Sequence, residues 1–494
     1  MKAKTFFIAT FIFLQGQFMF SQNDLKVLHT EEILGKNLMN ETDIIGTVYT
    51  FPARIHLFSL DTKANMLTIQ LRGLMGKKEK LNKTGTILQY DMEFKNVLWS
   101  SNVVYKIDRP EQWGNFLIKN GYSIDINTGK HLWVVKHDIY WVDSKKNICI
   151  GYKKNSNFTS YANVLEGVDI KNGKILWKRE IDRKYGWSDL FYMNDSTLIV
   201  VASGIHEVNI YTGKGWDYHA ITATTESKNT LYIGGGLASN VLVDRNSIYF
   251  ASTEQIVKLD KQFGNIEWKN RFIDSRLTSS SSIFMDESLV YMVNKGFVST
   301  IFGKFDVGSV FFAAFDKQTG EQKYLSLINS DNRPIKDFKL LGNEIYILIQ
   351  NKIVKCNMVT GIQTFEKELP RENLGVLRFF TGSHLFINNQ NGDFYNLLQN
   401  DSKKLYLYTT KNLIVSLDNQ LNVTNTIDSD DVGIYYLRFM DYRFIAKKEK
   451  TFIINKEGSI VAELEISSNA FLVDDILYDK KDKRFIAIDL KKVF

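Results

Sequence analysis

The stretch IDINTGKHLW, Ile124 to Trp133, runs from an alternating strand through an aspartate and a glycine to a tryptophan. Five further stretches repeat it: VDIKNGKILW (Val168 to Trp177), VNIYTGKGW (Val208 to Trp216), LDKQFGNIEW (Leu259 to Trp268), FDKQTGEQKY (Phe315 to Tyr324) and CNMVTGIQTF (Cys356 to Phe365). All share one grammar. An anchor, Asp125, Asp169, Asn209, Asp260, Asp316 or Asn357, is followed four residues on by Gly129, Gly173, Gly213, Gly264, Gly320 or Gly361. An aromatic residue closes each copy eight places after the anchor, as Trp133, Trp177, Trp268, Tyr324 or Phe365, except that Trp216 comes one place early. YDMEFKNVLW, with Asp91 and Trp99, is a seventh copy that lacks the glycine.

Each copy reads as a β-hairpin. An Asp or Asn carboxyl or amide oxygen accepts from backbone N–H groups just beyond it and closes the turn, and glycine takes the positive φ that other residues resist. The aromatic residue then lies on the outgoing strand. Upstream of most copies lies a second hairpin, such as DIYWVDSKKNICIGY, DLFYMNDSTLIVVAS or DFKLLGNEIYILI, in which two apolar strands flank a polar turn. Two hairpins give four strands, and the anchors recur at roughly the 40–45 residues of a four-stranded propeller blade. Weaker echoes follow at Asp418, Asn455 and Asp489, after a long gap from Asn357 that predicts an insertion or a decayed copy. No apolar period of 3.6 persists between caps. The expected fold is therefore all-β: a β-propeller of four-stranded antiparallel blades, with eight favoured and seven to ten allowed.

Five of the eight tryptophans hold the closing position. A four-stranded sheet cannot bury both faces alone, so blades must cover one another, and a tryptophan recurring on one strand can bridge that seam. A rotational repeat spreads such residues around a ring, which argues against a ligand cage. The expected role of Asp125, Gly129, Trp133, Asp169, Gly173, Trp177, Asn209, Gly213, Trp216, Asp260, Gly264, Trp268, Asp316, Gly320 and Tyr324 is structural.

The pattern in SIDINTGKHLW and GVDIKNGKILW resembles the repeat of the pyrroloquinoline-quinone-type propellers. That superfamily includes quinoprotein alcohol dehydrogenases and the propeller subunit of the machinery that assembles outer-membrane β-barrels. The resemblance runs from Leu88 to Phe365 and fades beyond. It implies the fold. Quinoprotein enzymes use a calcium ion, an aspartate base and often adjacent cysteines, whereas the two cysteines here, Cys149 and Cys356, are far apart in sequence. Both read as buried thiols in apolar strands. The seven histidines show no metal-ligand spacing, Asp428 to Asp431 reads as a solvated turn, and Gly234 to Gly236 lacks the residues of a phosphate loop. The expectation is a chain without catalytic residues, metal or cofactor. The competing reading is a quinone- or calcium-dependent oxidoreductase, or a small-ligand binder, using the central channel.

Met-Lys-Ala-Lys followed by the apolar run Phe6 to Leu14 has the layout of a secretory signal peptide. The expected organisation is a leader at residues 1–22 and one propeller domain at 23–494, placed in the periplasm, at the cell surface or outside the cell. Loss of Lys2 and Lys4 takes the formal charge from +7 to +5, too diffuse for nucleic acid. Partners are expected to be other envelope proteins meeting the loop faces. RFIAIDLKKVF at the end reads as the third strand of a repeat, so the segment around Leu25 to Leu28 is expected to supply the fourth.

Overall fold

The computed structural model describes residues 25–72, 74–75, 80–81, 84–104, 111–113, 116–119, 122–134, 137–143, 145–153, 163–182, 189–219, 237–252, 255–271, 280–300, 303–306, 309–380, 385–397 and 404–494. The leader and the Gly234 to Gly236 run lie outside these residues. The chain folds as a β-propeller. Among the described residues, eight four-stranded antiparallel sheets occupy 55–104, 111–133, 137–180, 189–219, 242–271, 281–327, 337–368 and 377–428. Two further four-strand units lie within an eleven-stranded sheet: 433–464, and 471–489 completed by Thr42–Thr50. They are numbered here from first to tenth in chain order.

Within the first nine units the strands stand in chain order, which is the product of successive hairpins. The middle strands are buried almost end to end, as in Thr197–Val201, Ser247–Ala251 and Phe311–Asp316. Such continuous burial follows when both faces of a sheet are covered by neighbours. An apolar cluster spans each junction, from Ile87, Trp99 and Ile124 between the first two units to Tyr478, Phe485 and Tyr90 between the last and the first. The circuit of seams is closed.

Closure differs in detail from the sequence expectation. Arg484–Asp489 is indeed a third strand, but its outer partner is Thr42–Thr50, with Thr47 opposite Ala487 and Thr50 opposite Arg484. Leu28 instead begins the strand Leu28–Asn37, which pairs with Thr42–Thr50 and hands its end, Gly35 to Asn37, to Leu464, Glu463 and Ala462 of the ninth unit. A hairpin rather than a lone strand therefore seals the ring, because it bonds to the fourth strand of the ninth unit and the third strand of the tenth at once.

The gap after Asn357 holds an insertion. The hairpin Leu385–Asn388 and Phe394–Asn396 leaves the eighth unit after its first strand and lies between the eighth and ninth units. Leu385 packs with Tyr406 and Ile414 on one side, and Phe386 and Phe394 pack with Ile445 and Ile454 on the other. Two smaller hairpins, Leu74–Met75 with Lys80–Leu81 and Phe297–Thr300 with Gly303–Asp306, leave the first and sixth units between their second and third strands. That shared position puts both on the same face of the ring.

Candidate functional site

The repeat anchors build one device at successive seams. Asp125 Oδ1 accepts from the N–H groups of Asn127 and Thr128 at 2.9 and 3.0 Å, and Asn209, Asp316 and Asn357 make the same pair of bonds. The glycine four residues on lies beneath the aromatic ring of the preceding unit. A Cβ on Gly213, whose φ is 70°, would stand 2.5 Å from the Trp177 ring. Gly129 meets Trp99, Gly173 meets Trp133, Gly264 meets Trp216, Gly320 meets Trp268 and Gly361 meets Tyr324 in the same way. Indole Nε1 groups then donate across the seam: Trp133 to Ile170 O, Trp177 to Ile210 O and Trp99 to Ile126 O, each at 2.6 Å, and Trp268 to Lys317 O at 3.1 Å. Tyr324 donates its hydroxyl to Met358 O.

Trp216 is the exception. In the other copies the third and fourth strands slip register just before the turn, a β-bulge that adds one residue to the outgoing strand. The fourth unit keeps constant register from Gly204 opposite His219 to His206 opposite Asp217. One residue fewer means no bulge, and Trp216 Nε1 is buried with no acceptor.

Beside this irregular unit lies a cluster that the repeat does not announce. Arg179, on the fourth strand of the third unit, crosses the seam. Its guanidinium donates to the carbonyls of Glu207, Gly213, Gly215 and Trp216 and pairs with Asp217 at 2.6 Å. Gly215 has to be glycine, since a Cβ there would stand 2.1 Å from Glu207 O. Asp217 also bonds His206 Nδ1 at 2.6 Å, and the His206 ring meets His219 edge-on at 5.8 Å. The third unit has a parallel arrangement, where His137 Nε2 bonds Glu166 and Lys178 Nζ stands 3.2 Å from the same carboxylate. His206 Nε2 and His137 Nδ1 are buried without a partner.

Burial pushes the His206 imidazole below its usual range, and the bonded Asp217 only partly opposes this. Burial also works to raise Asp217 and Glu166, but the histidine bonds and the cations Arg179 and Lys178 outweigh it and hold both carboxyls low. The sign of the linkage follows. The unfolded chain takes up the His206 proton near pH 6.5 while the folded chain resists it, so stability falls as pH drops below that value. The depressed carboxylates keep their contributions until the pH is far more acid. In urea titrations the wild type should lose stability from about pH 7 to pH 5.5, with a slope from this one group of at most about 1.4 kcal/mol per pH unit. His206→Gln should flatten that slope. Equal slopes in the two proteins would refute the assignment.

Sequence reasoning missed these pairs. Glu166 and His206 stand three residues before Asp169 and Asn209, where other copies have Val257, Ala313 and Val354. A polar residue at an otherwise apolar strand position was the available signal. Asp428 caps a single 3-10 turn at Ser429–Asp431. Cys149 and Cys356 are buried free thiols in the third and seventh units, and burial pushes them up to about 12 and about 11. Among the described residues no three His, Cys, Asp or Glu side chains group so as to hold a metal ion, and no helix is long and apolar enough to cross a membrane.

Residues 82–270, from the first unit into the last strand of the fifth, match a family model described as outer membrane protein assembly factor BamB. Among solved structures, the chain is similar to BamB from Moraxella catarrhalis, at 14% identity over 71% of this chain and 93% of that chain, with a TM-score of 0.35. It is also similar to Hsv2 from Kluyveromyces lactis, at 8% identity over 76% of this chain and 99% of that chain, with a TM-score of 0.31. No curated protein matches the chain.

Proposed function

We propose that this protein is an exported, non-catalytic β-propeller that serves as a protein-interaction scaffold in a Gram-negative cell envelope. The observation that carries the reading is the match of residues 82–270 to the model of an outer-membrane assembly factor. Two other features support it. The first residues have the layout of a cleaved leader, and the ring is a set of mutually covered sheets with extra hairpins leaving one face. A rigid frame of this kind keeps its blades fixed while the connections between strands meet other molecules. His137, Glu166 and His206 are buried within the sheets of the third and fourth units and serve the frame.

Fractionation of cells carrying an epitope-tagged chain, followed by cross-linking in the intact envelope, tests both halves of the proposal. The tagged protein should be recovered from the envelope or periplasm, shortened by the leader, in covalent complexes with a small set of proteins. Full-length protein in the cytoplasm, or an envelope-located protein that never cross-links, would overturn the reading. The oxidoreductase alternative makes the opposite forecast: dye-linked alcohol oxidation after reconstitution with quinone and calcium.

A further inference from the structure

The first strands of the seventh and eighth units, Asp337–Leu341 and Leu377–Phe379, are tied side by side. The Phe379 N–H donates to Asp337 Oδ2 at 3.1 Å, and Lys339 Nζ donates to Phe380 O at 2.9 Å. Lys336 and Arg378 each sit one residue from that first bond, and Arg371 comes from the helical turn Arg371–Leu374 just before the second strand. All three are exposed. Among the described residues none of them forms an ion pair. Partial burial, then Arg371 and Arg378, push the Lys336 ammonium below the usual lysine range, with no carboxylate opposing them. The carboxylates adjacent to them in sequence form no ion pair with them: Asp337 accepts from the N–H groups of Phe338 and Phe379, and Glu372 stands exposed beside Arg371. Two other cations of the seventh unit do have carboxylate partners: Lys352 pairs with Asp331, and Lys355 with Glu344.

Three like charges at one seam with no ion-pair partner among the described residues repel one another, and an incoming anion would relieve that repulsion. We propose that this seam docks a short acidic segment of a partner protein, whose Asp and Glu carboxylates pair with Lys336, Arg371 and Arg378. Arginine forks suit carboxylates because two parallel N–H bonds can form at once. The site does not suit a nucleic acid: Phe379, the aromatic residue between the cations, is only 5% exposed and offers no face for base stacking. The inference rests on the scaffold reading and names the chemistry of its partner.

Fluorescence anisotropy with the full chain and a short labelled peptide of alternating Asp and Glu tests it. The peptide should bind saturably at low salt and weaken as salt rises. Lys336→Ala/Arg371→Ala/Arg378→Ala should lose about tenfold or more in affinity, and Arg371→Lys/Arg378→Lys, which keeps the charge but not the fork, should lose less than the alanine variant. The alanine variant should melt no lower than wild type, because it removes repulsion. Three results would each overturn the proposal: undiminished binding by the alanine variant, equal binding of the matching Asn and Gln peptide, or occupation of the site by inorganic phosphate while the acidic peptide does not bind. Failure here would leave envelope cross-links of the wild-type chain intact, whereas failure of the scaffold reading would remove those and leave the titration standing.

Discussion

Trp177→Ala should destabilise the protein by about 3–5 kcal/mol, toward the upper end of that range. The reason lies in what surrounds the ring. Trp177 is 7% exposed and sits between two glycines, one in its own sheet and one in the next. A Cβ on Gly167 would stand 2.2 Å from its Nε1, and one on Gly213 would stand 2.5 Å from its other edge. Glycines have no side chain with which to fill the hole, so the cavity would stay open. Trp177→Phe is milder and isolates the hydrogen bond, because it leaves Ile210 O without its 2.6 Å donor. Trp216→Phe loses no such bond, since that indole has no acceptor. The phenylalanine variant at 177 should therefore be the less stable of the two by about 1 kcal/mol. Denaturation midpoints give both comparisons. A cost below about 1 kcal/mol for Trp177→Ala would mean that the ring does not wedge the seam.

Why the sequence discloses the early units and conceals the late ones follows from which residues fill each role. In the first seven units the turn is made by Asp or Asn, and from the second to the seventh a glycine stands under an aromatic ring, so the pattern is visible in one dimension. The eighth unit makes a related turn with other residues. Asp418 Oδ1 accepts from the N–H groups of Gln420 and Asn422, and Leu421 takes the positive φ of 57° that glycine takes elsewhere. Its fourth strand has Asn425 opposite Ser416, where a wedge would stand, and the inserted hairpin fills the seam instead: Phe394 packs its ring with Ile445 and Ile454 and donates its N–H to Gly458 O in the ninth unit's turn at 2.8 Å. A role moved to an insertion leaves no periodic trace. The cluster around Arg179 is hidden for a different reason: Asp217 lies 38 residues away, and only the stacking of two sheets brings it to the guanidinium. The closing strand is hidden because TDIIGTVYT alternates like any other strand, and its partner lies at the opposite end of the chain.

That closing contact carries the other large effect. Removing residues 25–51 should abolish the cooperative melt of the whole ring. Leu34, Ile44 and Val48 are buried in the junction of the ninth and tenth units, and Tyr49 and Phe51 in the junction of the tenth and first. At roughly 1.5–3 kcal/mol for each large apolar side chain, the lost burial rivals the entire 5–15 kcal/mol stability of an ordinary domain. Backbone pairing is lost with it, and the outer edges of two sheets are bared for aggregation. A synthetic peptide spanning the deleted residues should restore the melt when added in excess, because it rebuilds the same strand pairs. The converse experiment strengthens the clasp. Thr47 and Ala487 face each other across the terminal seam, within the reach of a disulfide. Thr47→Cys/Ala487→Cys should gain about 2–4 kcal/mol when oxidised and lose the gain on reduction. Cys149 and Cys356, buried in other units, should not compete for the bond. If the truncated chain melted like wild type and the oxidised variant gained nothing, the termini would not be what holds the circle shut, and the ring would owe its stability to its other seams alone.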